Sequence, residues 1–288
     1  MSVPTVIERI AEVRGILDEA RAAGKRVGFV PTMGFLHEGH ASLMRRAREE
    51  NDVVLVSIFV NPLQFGPSED FEAYPRDLDR DLAVCAEAGV DLVLHPPVAE
   101  MYPEPMTMSF SVGAIGNVLE GATRPGHFDG VATVVAKLFN IAGPCRAYFG
   151  EKDAQQLVVI RRLARQLNFP VEVAGCPTVR EPDGLAMSSR NVYLGPEERK
   201  AAAVLNRALG EGASRIEAGE RSSVAVVEAM ERLVGDEPLA KLDYAVCVDP
   251  DTLGEPADLG GPVLLAVAAW VGKARLIDNV MVSPAPSS

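Results

Sequence analysis

Two histidines with the spacing of one helical turn stand in the segment PTMGFLHEGHASLMRRA, residues 31–47. His37 and His40 are three residues apart, so on a helical turn their imidazoles share one face. A helix that begins near Gly39 offers free backbone N–H groups and the positive end of its dipole. Gly34 and Gly39 let the backbone approach a ligand closely. Such a pair could hold a phosphate whose charge grows during a reaction.

Alternative interpretations of this pair are a satisfied pair of surface histidines or a fortuitous metal pair. The spacing is one residue short of the H-E-x-x-H signature, so a zinc protease is not indicated. At the positive end of a helix both imidazoles should stay neutral, each with one N–H to donate. A pH–rate profile that requires an imidazolium would contradict this hypothesis.

Two amides follow the next apolar run, in VNPLQFGPSEDFEAYPRD. Asn61 and Gln64 stand where a ligand would lie, and an amide can donate to a carboxylate and accept from a hydroxyl. The alternative is that Asn-Pro only starts a turn. Further along, Asp77, Asp79 and Asp81 predict a solvated helix face, although a carboxylate there could reach a nucleotide-bound Mg²⁺.

A lysine at the end of a third apolar run is a further candidate phosphate ligand. In YFGEKDAQQL, Lys152 could pair with phosphate oxygens as a point charge. Asp153 could cap the next helix or bind a ribose hydroxyl. Gln155 and Gln156 are adjacent and face different directions, so only one can enter a cleft, and we select Gln156.

Two hydroxyls and a guanidinium form a fourth group in VREPDGLAMSSRNVYL. Ser188, Ser189 and Arg190 could close over a triphosphate, with Arg190 giving bidentate contacts. The alternative is an ordinary linker. In RPGHFDGVATVV, Arg124 and His127 precede a helix that looks buried, and His127 fits a structural or supporting contact better than a proton carrier.

These segments need a regular scaffold, and short apolar runs alternate with helical patterns through the first 175 residues. Strict alternation of strand and helix predicts a Rossmann-like α/β fold, with a parallel sheet and helices on both faces. In such sheets ligands gather at the carboxyl ends of strands, here after Val30, Val60, Phe149 and Val173. The predicted strands are 27–30, 53–60, 92–94, 147–149 and 171–173, and the predicted helices are 39–50, 78–88, 131–141 and 154–167.

A second, smaller domain follows a change of composition after residue 181. We expect a catalytic Rossmann-like domain over residues 1–183 and a small α+β domain over residues 184–288 that closes over the active site. In the small domain we predict two helices and a three-stranded antiparallel sheet, at 197–218, 224–233, 242–248, 263–270 and 274–282.

The composition narrows the class of protein. With 288 residues and a formal net charge of −12 the chain would repel a polyanion, so nucleic-acid binding is not expected. The four cysteines form no C-x-x-C, which argues against a metal site or a disulfide framework. No stretch approaches about 18 uncharged apolar residues, and the N-terminal stretch lacks the apolar core of a signal peptide, so we expect a cytoplasmic protein without a membrane span. The sequence contains no dinucleotide fingerprint, P-loop or nucleophile elbow.

The motifs together carry a resemblance to a known family. HEGH resembles the HIGH motif of the nucleotidyltransferase superfamily, and MSSR resembles its second, phosphate-binding signature. Five segments in matching order, PTMGFLHEGH, FVNPLQFGPSEDFEAYPRD, RPGHFDGVATVV, FGEKDAQQL and MSSRN, resemble the pantothenate synthetase family, and the similarity runs to about Leu194. The rest is compatible with that family's small C-terminal domain. Phe35 stands where the family usually has a smaller residue and Ala41 where it often has Leu, but neither departure removes a functional group.

The resemblance implies an ATP-consuming ligase. Such an enzyme condenses (R)-pantoate with β-alanine through a pantoyl-adenylate and releases AMP and pyrophosphate, in vitamin B5 and coenzyme A biosynthesis. The resemblance also implies Mg²⁺ carried by the ATP phosphates, no protein metal site, small-molecule substrates only and a homodimer.

Carried over position by position, the resemblance implies three groups of site residues. Those implied in catalysis are His37, His40, Lys152 and Arg190, with His40 as the usual proton donor. Those implied in binding pantoate and β-alanine are Met33, Asn61, Gln64 and Gln156. Those implied in binding ATP are Met33, Gly34, Phe35, Leu36, His37, Glu38, Gly39, His40, Gly150, Glu151, Lys152, Asp153, Val179, Met187, Ser188, Ser189 and Arg190.

Two other functions stay open at this point. A nucleotidyl- or aminoacyl-type transferase acting on tRNA would share the two signatures, but the acidic charge and the lack of an anticodon-binding domain weigh against it. A non-catalytic nucleotide sensor could keep the fold, but the retained histidines, Lys152 and the serine–arginine cluster weigh against that function.

Overall fold

The computed structural model describes residues 3–66, 71–72 and 74–284. Residues 67–70 and 73, which belong to the second of the five resembling segments, lie outside the described residues.

The chain divides into two compact units. The first comprises residues 1–151 and 155–177, and the second comprises residues 152–154 and 178–288. This division differs from the sequence-based boundary after residue 183 because the segment after residue 177 folds into a hairpin that bonds to the last strand of the chain.

A parallel sheet forms the scaffold of the first unit. Its strands among the described residues are β1 (Thr5–Ile7), β2 (Val27–Thr32), β3 (Val53–Ile58), β4 (Leu92–Leu94), β5 (Cys145–Gly150) and β6 (Val171–Cys176). They pair in parallel in the order β1-β4-β3-β2-β5-β6, which confirms the predicted parallel sheet. β1 was not predicted, because three residues at the edge of a sheet are too short to give a pattern.

Helices cover this sheet. They are α1 (Ile10–Ala22), α2 (Glu38–Glu50), α3 (Leu78–Glu87), α4 (Val98–Met101), α5 (Glu120–Thr123), α6 (His127–Ala142) and α7 (Ala154–Gln166). α6 is buried on nearly every side, which accounts for its almost continuously apolar sequence. The short helices α4 and α5 were not predicted, since a single turn has no helical period to detect.

The strand order reverses between β2 and β5, which are neighbours in the sheet. Met33 follows β2 directly, and Gly150 is the last residue of β5. In open parallel sheets ligands bind outside the carboxyl ends of the strands at such a reversal. The loops after β2 and β5 are therefore the natural place for a site.

The C-terminal end of α2 is fixed to β5 by a cluster of polar groups. The Tyr148 hydroxyl donates to Oε2 of Glu50 at 2.7 Å and accepts from Nδ2 of Asn51 at 2.7 Å. Arg46 and Arg146 each place a guanidinium nitrogen 3.0 Å from the Glu50 carboxylate. The bond from Tyr148 and the two arginines hold the pKa of Glu50 below its ordinary value. Burial and the bond to Glu50 raise the pKa of Tyr148 to about 12, so its hydroxyl remains a donor.

The second unit combines a small sheet with three helices among its described residues. β7 (Ala240–Val248), β8 (Val263–Val271) and β9 (Ala274–Val282) pair antiparallel in that order, which confirms the predicted small antiparallel sheet. The predicted continuous helix at 197–218 was wrong, because the chain turns at Ala203. The helices are α8 (Pro196–Ala202), α9 (Val204–Glu217) and α10 (Ser223–Gly235). Over the described part of the chain, every helix is too short or too polar to traverse a lipid bilayer.

Candidate active site

The loop between β2 and α2 is anchored by a buried carboxylate on α3. The backbone N–H of Phe35 donates to Oδ2 of Asp81 at 2.8 Å, and that of Leu36 donates to Oδ1 at 2.7 Å. Gly34 and Phe35 have positive φ angles of 82° and 50°, a conformation that costs free energy at a non-glycine residue. The two hydrogen bonds to Asp81 offset that cost and fix the path of the loop.

Asp81 corrects a sequence-based interpretation. Its exposed fraction is 1%, whereas the sequence pattern placed it on a solvated helix face. Burial raises the pKa of its carboxyl, and the two backbone N–H bonds act in the opposite direction. Asp79 is exposed, and Asp77 caps α3 by accepting from the backbone N–H of Arg80 at 3.1 Å. A usable signal was present, because Asp81 precedes the buried Cys85 by one helical turn and so shares its core-facing side.

The two predicted histidines lie together at the start of α2, with ring centroids 4.2 Å apart. Nδ1 of His37 accepts from the backbone N–H of Gly39 at 3.1 Å, and Nδ1 of His40 accepts from the backbone N–H of His37 at 3.3 Å. A ring nitrogen that accepts an N–H carries no proton, so the proton of each neutral imidazole sits on Nε2. A neutral ring at either position can therefore donate from Nε2 beside the positive end of the helix, and the neutral state itself stays a prediction.

The side chain of His37 folds back over Gly39. A Cβ atom on residue 39 would lie 2.9 Å from Cε1 and 3.0 Å from Nδ1 of His37. Glycine at this position therefore makes room for the imidazole. The neighbouring Glu38 is exposed and pairs with Arg45 along the helix.

Asn61 is buried, with an exposed fraction of 1%, and its amide is fully engaged by the protein. Its Nδ2 donates to Oε1 of Gln64 and to the carbonyl of Gly130, both at 3.2 Å. Its Oδ1 accepts from the hydroxyl of Tyr102 at 2.7 Å and from the backbone N–H of Leu63 at 3.3 Å. These four bonds use all the hydrogen-bonding capacity of the amide, so in this arrangement Asn61 fixes Gln64.

Gln64 is held from several directions. Its Nε2 lies 2.8 Å from Sδ of Met33, which joins it to the loop after β2. Its backbone carbonyl accepts from Nδ1 of His127 at 2.9 Å, and Nε2 of His127 accepts from Nη1 of Arg124 at 3.0 Å. These two partners fix His127 as a neutral ring protonated on Nδ1, which agrees with a supporting role for this histidine.

The two adjacent glutamines on α7 have different surroundings. Gln155 is buried, and its Nε2 donates to the carbonyls of Ile115 and Val118, both at 2.8 Å. Its Oε1 accepts from the backbone N–H of Glu120 at 3.0 Å. The side-chain amide of Gln155 is thus hydrogen-bonded to the 115–120 segment. Gln156 is half-buried, and its selection as the substrate ligand stays a prediction.

After Gly150 the chain makes a 3₁₀ turn, Glu151–Asp153, before α7 begins. The side chain of Lys152 is 16% exposed, with Nζ 3.9 Å from Oδ1 of Asp153. Its carbonyl accepts from Nδ2 of Asn279 on β9 at 2.6 Å. Residues 152–154 accordingly belong to the second unit, although the chain up to Glu151 and again from Gln155 belongs to the first.

The serine–arginine cluster, Ser188 to Arg190, directly follows a hairpin. The backbone N–H of Met187 donates to the carbonyl of Val179 at 2.9 Å, so these two predicted ATP contacts are neighbours. Oγ of Ser188 accepts from the backbone N–H of Arg190 at 3.2 Å and starts a 3₁₀ turn, Ser189–Tyr193. Arg190 is exposed. The segment therefore has an ordered local structure, and its contact with a triphosphate stays a prediction.

The part of the chain that the structure describes contains no cluster of side chains suited to binding a metal ion. Within residues 3–66, 71–72 and 74–284, no three His, Cys, Asp or Glu side chains are grouped to hold a cation.

The chain is similar to known proteins over almost its whole length. A family profile described as Pantoate-beta-alanine ligase matches residues 5–281. The pantothenate synthetase of Moorella thermoacetica is 55% identical over 276 residues, 96% of this chain and 98% of the relative. That of Geobacillus kaustophilus is 54% identical over 278 residues, 96% of this chain and 92% of the relative.

Solved structures give the same picture. Pantothenate synthetase from Thermus thermophilus superposes with a TM-score of 0.91 at 52% identity, covering 97% of this chain and all of that one. A pantoate-β-alanine ligase from Francisella tularensis, complexed with β-γ ATP and β-alanine, has a TM-score of 0.78 at 34% identity, covering 96% of this chain and 97% of that one.

Proposed function

The chain belongs to the pantoate–β-alanine ligase family, and from that premise we propose that its active site condenses (R)-pantoate with β-alanine at the expense of ATP. The observation that carries the proposal is the match over residues 5–281, because it spans every segment that would contact a substrate. Relatives at 52–55% identity are named pantothenate synthetase. The Francisella tularensis ligase is complexed with β-γ ATP and β-alanine, which correspond to two of the three substrates proposed here.

The chemistry begins with activation of a carboxylate. A carboxylate is a poor acylating agent because its leaving group would be an oxide. Attack of the pantoate carboxylate on the α-phosphorus of ATP forms pantoyl-adenylate and expels pyrophosphate. The β-alanine amine then attacks the adenylate carbonyl, AMP leaves, and the amine proton passes to solvent. The protein's contribution is alignment, charge stabilisation and exclusion of water from the adenylate.

We propose that His37 and His40 stabilise the negative charge that grows on the phosphate oxygens. Each has its ring proton on Nε2, because each Nδ1 accepts a backbone N–H, so each can donate one hydrogen bond. The family assigns the proton-donor role to His40, and Nε2 is the atom of His40 that would serve it. The N-terminus of α2 adds its dipole to the same task.

We propose that Gln64 and Gln156 bind pantoate, with Met33 beside them and Gln64 also bordering the β-alanine position. The bonds of Asn61 suit it to orient the Gln64 amide, so we assign Asn61 a positioning role rather than a direct contact with substrate.

For ATP we propose contacts with the loop from Met33 to His40, with the turn from Gly150 to Asp153, with Val179 and with the segment 187–190. These contacts follow from the family resemblance of the motifs that contain them. Mg²⁺ would ride on the β- and γ-phosphates, where it would neutralise charge.

We also propose a homodimeric state, from the family resemblance, and a cytoplasmic location, from the features of the sequence described above. The four cysteines are unpaired, as suits a reducing compartment.

The test uses ATP and pantoate without the amine. Labelled pyrophosphate should exchange into ATP only when pantoate is present, and mass spectrometry should find pantoyl-adenylate held by the enzyme. Adding β-alanine should release AMP and pantothenate in equal amounts. Exchange that ignores pantoate, or that needs a different acid, would overturn the proposed substrate.

A further inference from the structure

Two adjacent polar residues interrupt the apolar sequence of β9, Asp278 and Asn279, and both are buried. Successive side chains of a strand point to opposite faces, so the pair can serve two different partners. Buried polar side chains are normally hydrogen-bonded, and the partners of these two lie about 100 residues or more away in the sequence.

Asp278 holds the hairpin that leads to the serine–arginine cluster. Nη1 of Arg180 donates to Oδ2 of Asp278 at 2.6 Å, and Nη2 donates to Oδ1 at 3.0 Å, a bidentate pair. Nη1 of Arg180 also donates to the carbonyl of Gly184 at 3.0 Å, across the turn of the hairpin. Arg180 pairs with Ala186 in the hairpin ladder, so its side chain closes the hairpin and fastens it to β9.

Asn279 bonds to the 3₁₀ turn Glu151–Asp153, which we call the lysine turn. Its Nδ2 donates to the carbonyl of Lys152 at 2.6 Å, a bond between residues 127 positions apart. Its own carbonyl accepts from Nη2 of Arg180 at 3.3 Å, and its backbone N–H donates to Oδ1 of Asp278 at 2.8 Å. One dipeptide therefore bonds to Lys152 itself and to Arg180 of the hairpin that leads to the Ser188–Arg190 segment.

We infer that Asp278 and Asn279 are positioning residues that hold Lys152 and the Ser188–Arg190 segment in one fixed arrangement within the second unit. The carbonyl of Lys152 belongs to a single 3₁₀ turn, so fixing it fixes the direction in which the ammonium leaves the backbone. The inference rests on the proposed contact of Lys152 with ATP. Its physical basis is that catalysis depends on placement, since a shift of about 1 Å can cost about 100-fold in rate.

Asn279→Ala is the primary test. We expect kcat to fall about 10- to 100-fold and KM for ATP to rise, with KM for pantoate changed less than about two-fold, because only the ATP contacts are disturbed. A loss of packing alone would not single out ATP. Should the alanine variant fail to fold, Asn279→Ser gives the same test, since serine keeps a polar group but is too short to reach the Lys152 carbonyl.

Asp243→Ala is the matched control. Asp243 on β7 accepts from Nε and Nη2 of Arg275 on β9 at 2.9 and 2.7 Å, so its loss also breaks a hydrogen bond to a β9 side chain in the same sheet. This variant should keep kcat and both KM values. If Asp243→Ala and Asn279→Ala lower activity alike, the effect of Asn279 is general destabilisation and the inference fails.

A double variant separates the inference from the function on which it rests. In a Lys152→Ala background, calorimetric ATP binding should weaken less than about two-fold further on adding Asn279→Ala, because Asn279 acts through Lys152. Additive weakening would overturn the inference. Lys152→Ala with full turnover would instead refute the proposed role of Lys152, and a damaged Lys152→Ala beside an intact Asn279→Ala would refute the positioning role alone.

Discussion

Replacing Gly39 with alanine should damage the reaction while leaving the fold about as stable as before. A Cβ at residue 39 would lie 2.9 Å from Cε1 of His37, whereas ordinary van der Waals contacts of a Cβ are 3.4–4 Å. The imidazole must therefore swing away by several tenths of an ångström. This motion lengthens or breaks the 3.1 Å bond from the Gly39 N–H to Nδ1 of His37 and moves Nε2, the atom that we propose as the donor to phosphate.

The two effects on stability nearly cancel. The His37 side chain caps α2 by accepting from the Gly39 N–H, and loss of this bond should lower the free energy of unfolding by about 1 kcal/mol. Alanine in place of glycine in a helix should raise it by about 1 kcal/mol. The free energy of unfolding should therefore change by less than about 1 kcal/mol. The reaction has no such compensation, and a misaligned donor should lower kcat about 10- to 100-fold.

The assay compares kcat, measured as AMP release at saturating substrates, with the free energy of unfolding in denaturant. Gly15→Ala on α1 is the control, because no neighbouring atom lies within 4 Å of a Cβ there. It should raise the free energy of unfolding by about 0.5–1 kcal/mol and leave kcat unchanged. Full kcat in a stable Gly39→Ala enzyme would refute the view that the ring position set by Gly39 matters to the reaction.

Three further predictions follow from the same geometry. His37→Ala and His40→Ala should each lower kcat about 100- to 1,000-fold at saturating ATP, and near-normal turnover would remove that histidine from the mechanism. Asp81→Asn should lower both kcat and the free energy of unfolding, the latter by about 1–3 kcal/mol. The reason is that the NH₂ group of the new amide would face one of the two backbone N–H donors of the loop. Asp79→Asn, at an exposed position on the same helix, should change neither quantity. Glu50→Gln should destabilise the fold at neutral pH: the lowered pKa of Glu50 means that its contribution is present above its ordinary value of about 4.5 and is lost as the pH falls through the folded-state pKa. The unfolding curves of variant and parent should therefore converge in acid, and a constant gap down to low pH would contradict the assignment.

The parallel sheet could be predicted because its strands are short apolar runs separated by helices, a pattern with few alternative folds. The histidine pair could be predicted for a similar reason, since both its spacing and its helix start are local in sequence. The serine–arginine segment and the lysine turn were also recognisable locally. Their roles as ligands remain predictions.

Most of the features that the sequence did not reveal depend on contacts between residues that are distant in the chain. The aspartates from 77 to 81 have the pattern of an exposed helix face. The spacing of Asp81 to Cys85 indicates a core-facing side, but nothing near Asp81 in the sequence shows that a loop 45 residues earlier folds onto it. Asn279 gave a weak signal, a polar pair in an apolar strand, but its partner lies in another part of the chain. The break at Ala203 is hidden in an alanine-rich stretch that favours helix on both sides.

The assignment of residues 152–154 to the second unit has a consequence for recombination between relatives. A chimera with a single crossover near residue 177 would take its lysine turn from one parent and the strand that binds that turn from the other. Swapping the small unit cleanly therefore requires an exchange at two places in the gene. On the ribosome, likewise, the Lys152 carbonyl emerges long before its partner amide has been synthesised.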